Sequence, residues 1–243
     1  MTDATPHLSP VDEQRVAGLE ARLGMVLADH TTALAALTHA SYVNEHPEEK
    51  RADNERLEFL GDAVVDLAVS DRLMRRYPEA TEGELTRLRA ALVDESGLAM
   101  VAKSIGLGEL LALGRGEEQS GGRKKDSVLA DALEAVIGVV FLAGGLEAAG
   151  SFVDRFFAEA FKRVTESAGR DFKSQLQVLA QDRFHASPRY AVVSESGPDH
   201  LKTFTVEIEC AGEKLGRGEG KSKKEAEQAA AREALAKLPL AGG

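Results

Sequence analysis

Apolar residues recur every three or four positions over the first two thirds of the chain, which is the spacing of amphipathic helices. This pattern predicts a helical domain over residues 11–164, preceded by a disordered tail over residues 1–10. Thr81 and Glu84 have the spacing of a capping box and should begin one of these helices. The glycine-rich, charged segment 114–125 is interpreted as a loop. Because no alternating run of apolar and polar residues occurs in this region, the fold class expected here is all-α.

The hydrophobic period changes after a short polar stretch, residues 165–171, which is interpreted as a linker. Alternation of apolar and polar residues now indicates strands, flanked by two helical segments. The pattern predicts a small α+β domain over residues 172–240, with the order α-β-β-β-α. The expected elements are a helix at 172–184, strands at 189–196 and 203–210, a short strand or turn at 214–220, and a helix at 222–238.

The overall charge hides two different halves of the chain. The net charge is −10, yet residues 169–243 hold 12 Lys/Arg against 11 Asp/Glu. Charge alone therefore does not exclude a nucleic-acid partner for the second domain. The single cysteine, Cys210, excludes an internal disulfide and a cysteine-built metal site. We found neither a secretory signal pattern nor a stretch approaching about 18 apolar residues, so we expect a cytoplasmic protein with no membrane partner.

Carboxylates lie among the apolar residues of two predicted helices. Glu55, Glu58 and Asp62 are spaced three, four and seven apart on one helix, and Asp131 and Glu134 are three apart on another. Carboxylates beside a buried face repel one another and are costly to desolvate, and a divalent cation would remove that cost. Two such helices packed together would form a metal site. The alternative is a solvated acidic face, or pairing of these acids with the arginines Arg56, Arg72, Arg87 and Arg89. Spacing alone leaves these interpretations open.

The segment NERLEFLGDAV, residues 54–64, resembles the signature of the ribonuclease III family. The resemblance extends to ALTHASY (36–42), to SGGRKKDSVLADALEAVIG (120–138) and to the α-β-β-β-α region. It covers the chain from about residue 11 onward. The signature is specific because it combines acids, a glycine and apolar residues in one order.

This resemblance implies an all-α endonuclease domain that hydrolyses double-stranded RNA with Mg²⁺, for which Mn²⁺ can substitute. The family products carry 5′-phosphates, 3′-hydroxyls and two-nucleotide 3′ overhangs, and the expected targets are rRNA precursors and some mRNAs. The metal ligands implied here are Glu58, Asp62, Asp131 and Glu134. The catalytic set implied here consists of Asp62, Glu134, Glu55 and Glu82.

Resemblance also implies partners for the chain. Phe59 corresponds to an apolar residue that inserts into a second subunit, so a homodimer is expected; plain core packing of Phe59 is the alternative. The second domain resembles a double-stranded RNA-binding domain. Its expected RNA contacts are Ser174, Gln177, Gln181, His200, Lys221, Lys223 and Lys224. Val178 stands where the family often has glutamate, which puts a groove contact there in doubt.

Some residues and alternatives fall outside this pattern. Asp66 is interpreted as a surface acid, and His39 as structural rather than as a catalytic base. The loop at Gly121–Lys124 is expected to add a phosphate contact. Two rival functions are a non-catalytic double-stranded RNA-binding protein with an inactive nuclease fold, and a metal-binding helical protein with an unrelated accessory domain.

Overall fold

The computed structural model describes residues 8–168, 172–198 and 202–238. The chain divides into two compact units, with the division between Val164 and Thr165. Each unit has its own hydrophobic core. They are described separately below.

The first unit is helical, as predicted, apart from an isolated β-bridge between Thr38 and Ala112. Short 3₁₀ turns connect several of its helices. In chain order its α-helices are α1 (Pro10–Leu23), α2 (His30–Ala36), α3 (Ala40–Glu45), α4 (Glu55–Arg76), α5 (Glu82–Val93), α6 (Glu95–Ser104), α7 (Arg115–Gln119), α8 (Asp126–Phe156) and α9 (Ala158–Ala168).

Helix boundaries follow local capping chemistry. The capping box of Thr81 and Glu84 is present at the start of α5. Asp94 accepts a hydrogen bond from the amide of Gly97 and thereby begins α6, which splits a segment whose pattern is continuous in the sequence. The side chain of Ser9 caps α1, so the disordered tail predicted for residues 1–10 is wrong for its last residues. Residues 1–7 lie outside the described part of the chain.

Two further segments are more ordered than their composition suggested. The segment 114–125 contains helix α7, because the carboxylate of Glu45 accepts hydrogen bonds from the amides of Arg115 and Gly116 at the start of that helix. Residues 165–168 continue α9 instead of beginning the linker, since no Gly or Pro interrupts them. Residues 169–171 are not described.

Helices α4 and α8 lie at the centre of the first unit. Val65, Ala68 and Val69 of α4 are fully buried, as are Leu133 and Ile137 of α8. Helix α8 is kinked at Gly144 and Gly145, which have non-helical backbone angles. By length and composition α8 could cross a membrane, contrary to the expectation from the sequence, but it is mostly buried inside this unit. A long apolar helix in the core of a protein can have the same length and composition as a membrane-spanning helix.

The second unit confirms the α-β-β-β-α prediction. Its described elements are α10 (Phe172–Phe184), β1 (Arg189–Ser196), β2 (Thr203–Cys210), β3 (Glu213–Gly220) and α11 (Lys223–Lys237). The strands form an antiparallel sheet in the order β1-β2-β3, with β-bulges after Val192 and Ile208. Val206, Ile208 and Cys210 point into the core, as their alternation predicted.

Alternate glycines on β3 explain why that segment looked ambiguous between a strand and a turn. The inward positions Gly216, Gly218 and Gly220 lie against α11. A methyl group at Gly218 would be 2.7 Å from the carbonyl oxygen of Ala226. The strand therefore lacks the β-branched residues that usually mark one, because the helix backbone occupies the space that side chains would need.

Candidate metal centre and nucleic-acid interface

Carboxylates from α4 and α8 meet where the two helices pack together. Glu58, Asp131 and Glu134 each offer an oxygen, and these three oxygens all lie within 4.8 Å of one another. We call these three residues the carboxylate group. Asp131 and Glu134 are one helical turn apart and share the side of α8 that faces α4. An all-oxygen, anionic donor set is the kind that Mg²⁺ and other hard divalent cations take.

The group forms no close ion pair with a basic side chain in the described part of the chain, although the charges of His39 and Lys125 act on Asp131. Among the described residues, none of the three carboxylates lies within 4.0 Å of a Lys, Arg or His nitrogen. Arg72 instead pairs with Asp71 and Asp154, and the Arg89 Nε lies 3.9 Å from a carboxylate oxygen of Asp66. Arginine pairing, an alternative left open by the sequence, is therefore not found for this group.

Burial and mutual repulsion shift the protonation of the group. Burial, followed by the charges of Asp62, Glu58 and Asp131, raises the pKa of Glu134 to about 8. Burial and the neighbouring Asp131 also raise the pKa of Glu58. The pKa of Asp131 is raised by burial, although His39 acts in the opposite direction. Without a cation, Glu134 thus retains its proton at neutral pH.

These shifts predict a pH dependence of stability in the metal-free protein. The pKa of Glu134 is about 8 in the folded chain, against an ordinary value of 4.5. Protonation of Glu134 therefore stabilises the folded chain relative to the unfolded chain. This contribution is complete below pH 4.5 and is lost as the pH rises towards 8. In EDTA, the free energy of unfolding should therefore fall between about pH 5 and about pH 8. Urea unfolding measures this slope, which Glu134→Gln should make shallower; equal slopes for both proteins would contradict the assignment.

Other predicted acids lie beside or outside the group. Asp62 is exposed, and among the neighbouring charges its charge raises the pKa of Glu134 the most. Glu55 is exposed at the start of α4 and acts by charge on Glu58. Glu82 is exposed at the start of α5, where it accepts a hydrogen bond from Thr86, 2.9 Å away. The structure therefore places Asp62 and Glu55 near the group and Glu82 in a local helical contact.

Sequence reasoning missed three acids that act by charge on the group, namely Asp53, Asp66 and Glu95. Glu95, the first residue of α6, acts by charge on Asp131, and nothing in its local sequence indicates this.

In the loop Gly121–Lys124, which was expected to add a phosphate contact, the Arg123 guanidinium donates hydrogen bonds to the carbonyls of Gly108 and Leu111 and to the carboxylate of Glu118. Arg123 thus stabilises the loop that contains it. Lys124 is exposed, and the phosphate contact of this loop stays a prediction.

His39 has a structural contact, as interpreted from the sequence. Its Nδ1 accepts a hydrogen bond from the amide of Ser41, 3.2 Å away, and thereby caps α3. Asp66, interpreted as a surface acid, is half exposed and lies near Arg89.

The lysine-rich entry to α11 is the basic feature predicted in the second unit. Lys221, Lys223 and Lys224 are all exposed. Ser222 caps the helix by accepting from the amide of Glu225, whereas the Glu225 carboxylate accepts from the amide of Lys221. Ser222 and Glu225 have the spacing of a capping box, but only its serine half is present. A helix N-terminus with exposed lysines suits phosphate binding.

The outer side of α10 carries the other predicted RNA contacts. Ser174 is half-buried and Gln177 and Gln181 are exposed; their spacing of three and four places them on one face. Ser174 and Gln177 also line a cavity of about 270 Å³. Val178 beside them is 51% exposed. An exposed apolar side chain therefore occupies the position at which the resembled family often has glutamate. His200 lies outside the described residues.

Comparison with known proteins identifies the family. A family model described as Ribonuclease-III-like matches residues 29–161, and a double-stranded RNA binding motif matches residues 172–238. Ribonuclease 3 of Myxococcus xanthus is 56% identical over 226 residues, which cover 93% of this chain and 87% of that protein. The chain belongs to the ribonuclease III family. It is an endoribonuclease that acts on double-stranded RNA, so the rival interpretations as an inactive nuclease or an unrelated metal-binding protein are wrong.

Further relatives support the ribonuclease III assignment. Ribonuclease 3 of Pelotomaculum thermopropionicum is 46% identical over 232 residues, which cover 95% of this chain and 96% of that protein. A solved structure of the nuclease domain of ribonuclease III from Campylobacter jejuni is 41% identical to this chain. That structure shows flexibility in a region involved in dimer formation of the Campylobacter protein. It matches with a TM-score of 0.55 and covers 59% of this chain and 96% of that chain.

Proposed function

We propose that this ribonuclease III hydrolyses double-stranded RNA with Mg²⁺ held by Glu58, Asp62, Asp131 and Glu134, and that Mn²⁺ can substitute. The observation that carries the proposal is the carboxylate group itself, which brings oxygens of Glu58, Asp131 and Glu134 within 4.8 Å of one another. The proposal also assigns catalytic roles to Glu55 and Glu82. The charge of Glu55 on Glu58 supports the first of these.

The chemistry divides between the ion and the chain. Mg²⁺ bound by these residues would supply a water of lowered pKa and would polarise the phosphate. Glu58 and Asp131 provide half-buried carboxylate oxygens, and Asp62 provides an exposed one beside them. Glu134 must give up the proton that its raised pKa favours before its carboxylate can bind a cation. The apolar residues behind α4 and α8 keep these donors in place.

The proposal extends to products and targets. We expect 5′-phosphate and 3′-hydroxyl ends with two-nucleotide 3′ overhangs, and cleavage of rRNA precursors and some mRNAs. Cytoplasmic location stays a prediction. The support for all three is the family membership of the chain.

The direct test is incubation of a long, perfectly paired RNA with the purified chain in Mg²⁺, in Mn²⁺ and in EDTA. We expect short duplex products in the first two and intact RNA in the third. Sequencing of both ends would show the overhang and the 5′-phosphate. Cleavage in EDTA would contradict the role of the metal, and blunt products would contradict the proposed ends. Single-stranded RNA of the same sequence serves as the control.

We also propose that the chain forms a homodimer through the exposed side of α4. Phe59 is 83% exposed and Leu67 is 54% exposed, and exposed Ala63 lies between them at helical spacing. Core packing of Phe59 within its own unit is therefore excluded. An apolar stripe of this kind fits a second copy of the chain, and a two-fold pair supplies one nuclease site for each RNA strand.

Replacing Phe59 by alanine should weaken the dimer strongly. A buried phenylalanine contributes about 1.5–3 kcal/mol, and a two-fold interface uses the residue twice. The dissociation constant of the dimer should therefore rise about 100-fold or more, measured by sedimentation equilibrium. Val26→Ala is the matched control, because Val26 is also a highly exposed apolar residue (84%) but is not part of α4. Equal dissociation constants for Phe59→Ala and the parent chain would contradict this interface.

A further inference from the structure

Helices α4 and α8 contact each other backbone to backbone at a pair of glycines. A methyl group added at Gly138 would lie 2.7 Å from the carbonyl oxygen of Leu57 and 3.5 Å from the amide nitrogen of Gly61. A methyl group at Gly61 would overlap the carbonyl of Glu134 and lie 3.1 Å from its Cα. Backbone atoms cannot rotate away as a side chain can. The two glycines therefore set how closely the helices approach.

The proposed metal ligands lie at this crossing. Leu57, which faces Gly138, is the neighbour of Glu58, and Glu134 lies directly against Gly61. The oxygens of Glu58 and Glu134 are within 4.8 Å because the backbones that carry them touch. Any widening of the crossing would move Glu58 away from Asp131 and Glu134.

Not every helical glycine makes such a backbone contact. A methyl group at Gly83 of α5 would meet nothing within 4 Å. At Gly150, further along α8, it would meet only the side chain of Arg72. Gly138 and Gly61 thus differ from helical glycines that would tolerate a methyl group or displace a flexible side chain.

We propose that Gly138 is a positioning residue that keeps the carboxylate group narrow enough to favour Mg²⁺ over the larger Ca²⁺. The inference rests on the proposed metal site. Oxygen ligands lie at about 2.0–2.1 Å from Mg²⁺ and at about 2.3–2.6 Å from Ca²⁺, so ligands on opposite sides of the ion move apart by about 0.6 Å or more. A methyl group at Gly138 must move from 2.7 Å to at least 3.4 Å for ordinary contact with Leu57. The two displacements are of the same size.

The test compares Gly138→Ala with the parent chain, and Gly83→Ala serves as the matched control. Mn²⁺ bound to the full chain is followed by electron paramagnetic resonance without RNA and is displaced by Mg²⁺ or by Ca²⁺, which yields a dissociation constant for each ion. In Gly138→Ala, the constant for Mg²⁺ should rise about tenfold and that for Ca²⁺ less than about threefold. Gly83→Ala should leave both constants unchanged.

The outcomes separate the inference from the metal site on which it rests. If neither ion binds the parent chain, the proposed metal site is wrong. If both ions bind and Gly138→Ala weakens them by the same factor or by none, only the positioning role of Gly138 is wrong. Should the variant fail to fold, as judged by circular dichroism, tighter binding of Ca²⁺ than of Mg²⁺ by the parent chain would still overturn the inference.

Discussion

Replacing Glu134 by glutamine should lower the rate of duplex RNA cleavage by about 10³-fold or more and leave RNA binding intact. Glutamine has the size of glutamate but offers no anionic oxygen, so the metal loses a ligand. A loss of about 4 kcal/mol in transition-state stabilisation corresponds to this factor. The fold should persist, because the raised pKa of Glu134 already favours an uncharged side chain at neutral pH. Single-turnover cleavage and a native gel measure the two quantities separately.

Glu147→Gln provides the control for this prediction. Glu147 is an exposed acid on the same helix, α8, and lies outside the carboxylate group. This variant should cleave RNA at the parental rate. Parental activity in Glu134→Gln would show that the carboxylate group is not the catalytic centre. A parallel loss of RNA binding would instead indicate damage to the fold.

Replacing Lys221, Lys223 and Lys224 together by alanine should weaken duplex RNA binding about 100-fold. Three phosphate contacts at about 1 kcal/mol each account for that factor. The plot of log affinity against log salt concentration should become shallower by about one for each phosphate that a lysine no longer neutralises. The 3.7 Å pair between Lys223 and Glu195 is exposed, so its removal should affect stability little.

A charge-matched variant separates position from net charge. Lys214, Arg217 and Lys237 are exposed cations of the same unit that pair with Glu207 or Glu233. Replacing these three by alanine changes the net charge equally but removes no predicted RNA contact. We expect its affinity and salt slope to stay near those of the parent chain. Equal losses of affinity in both variants would show that overall charge, and not the entry to α11, governs RNA binding.

Local patterns predicted most of the secondary structure. Periodicity predicted α4 and the strands β1 and β2, and the Thr81–Glu84 spacing predicted the start of α5. Each of these depends on residues a few positions apart. The errors occurred where distant residues supply the missing contact. Helix α7 depends on Glu45, and the glycines of β3 depend on the backbone of α11.

The candidate site shows the same division. Acids at helical spacing predicted that carboxylates of α4 and α8 would meet, and the structure places Glu58 with Asp131 and Glu134. Local sequence could not indicate that Glu95 acts on Asp131, or that Arg123 is bound by carbonyl groups of its own unit. These are contacts through space between separate elements.

By itself the sequence determined the two-part fold class, the carboxylate stripes and the exposed lysines, because periodicity, capping and charge act over one or two helical turns. Only the tertiary structure decided how close the carboxylates come, that Phe59 is exposed and that the pKa of Glu134 rises to about 8. Burial and repulsion depend on which surfaces meet. At this site the meeting of α4 and α8 is set by the close approach at Gly61 and Gly138.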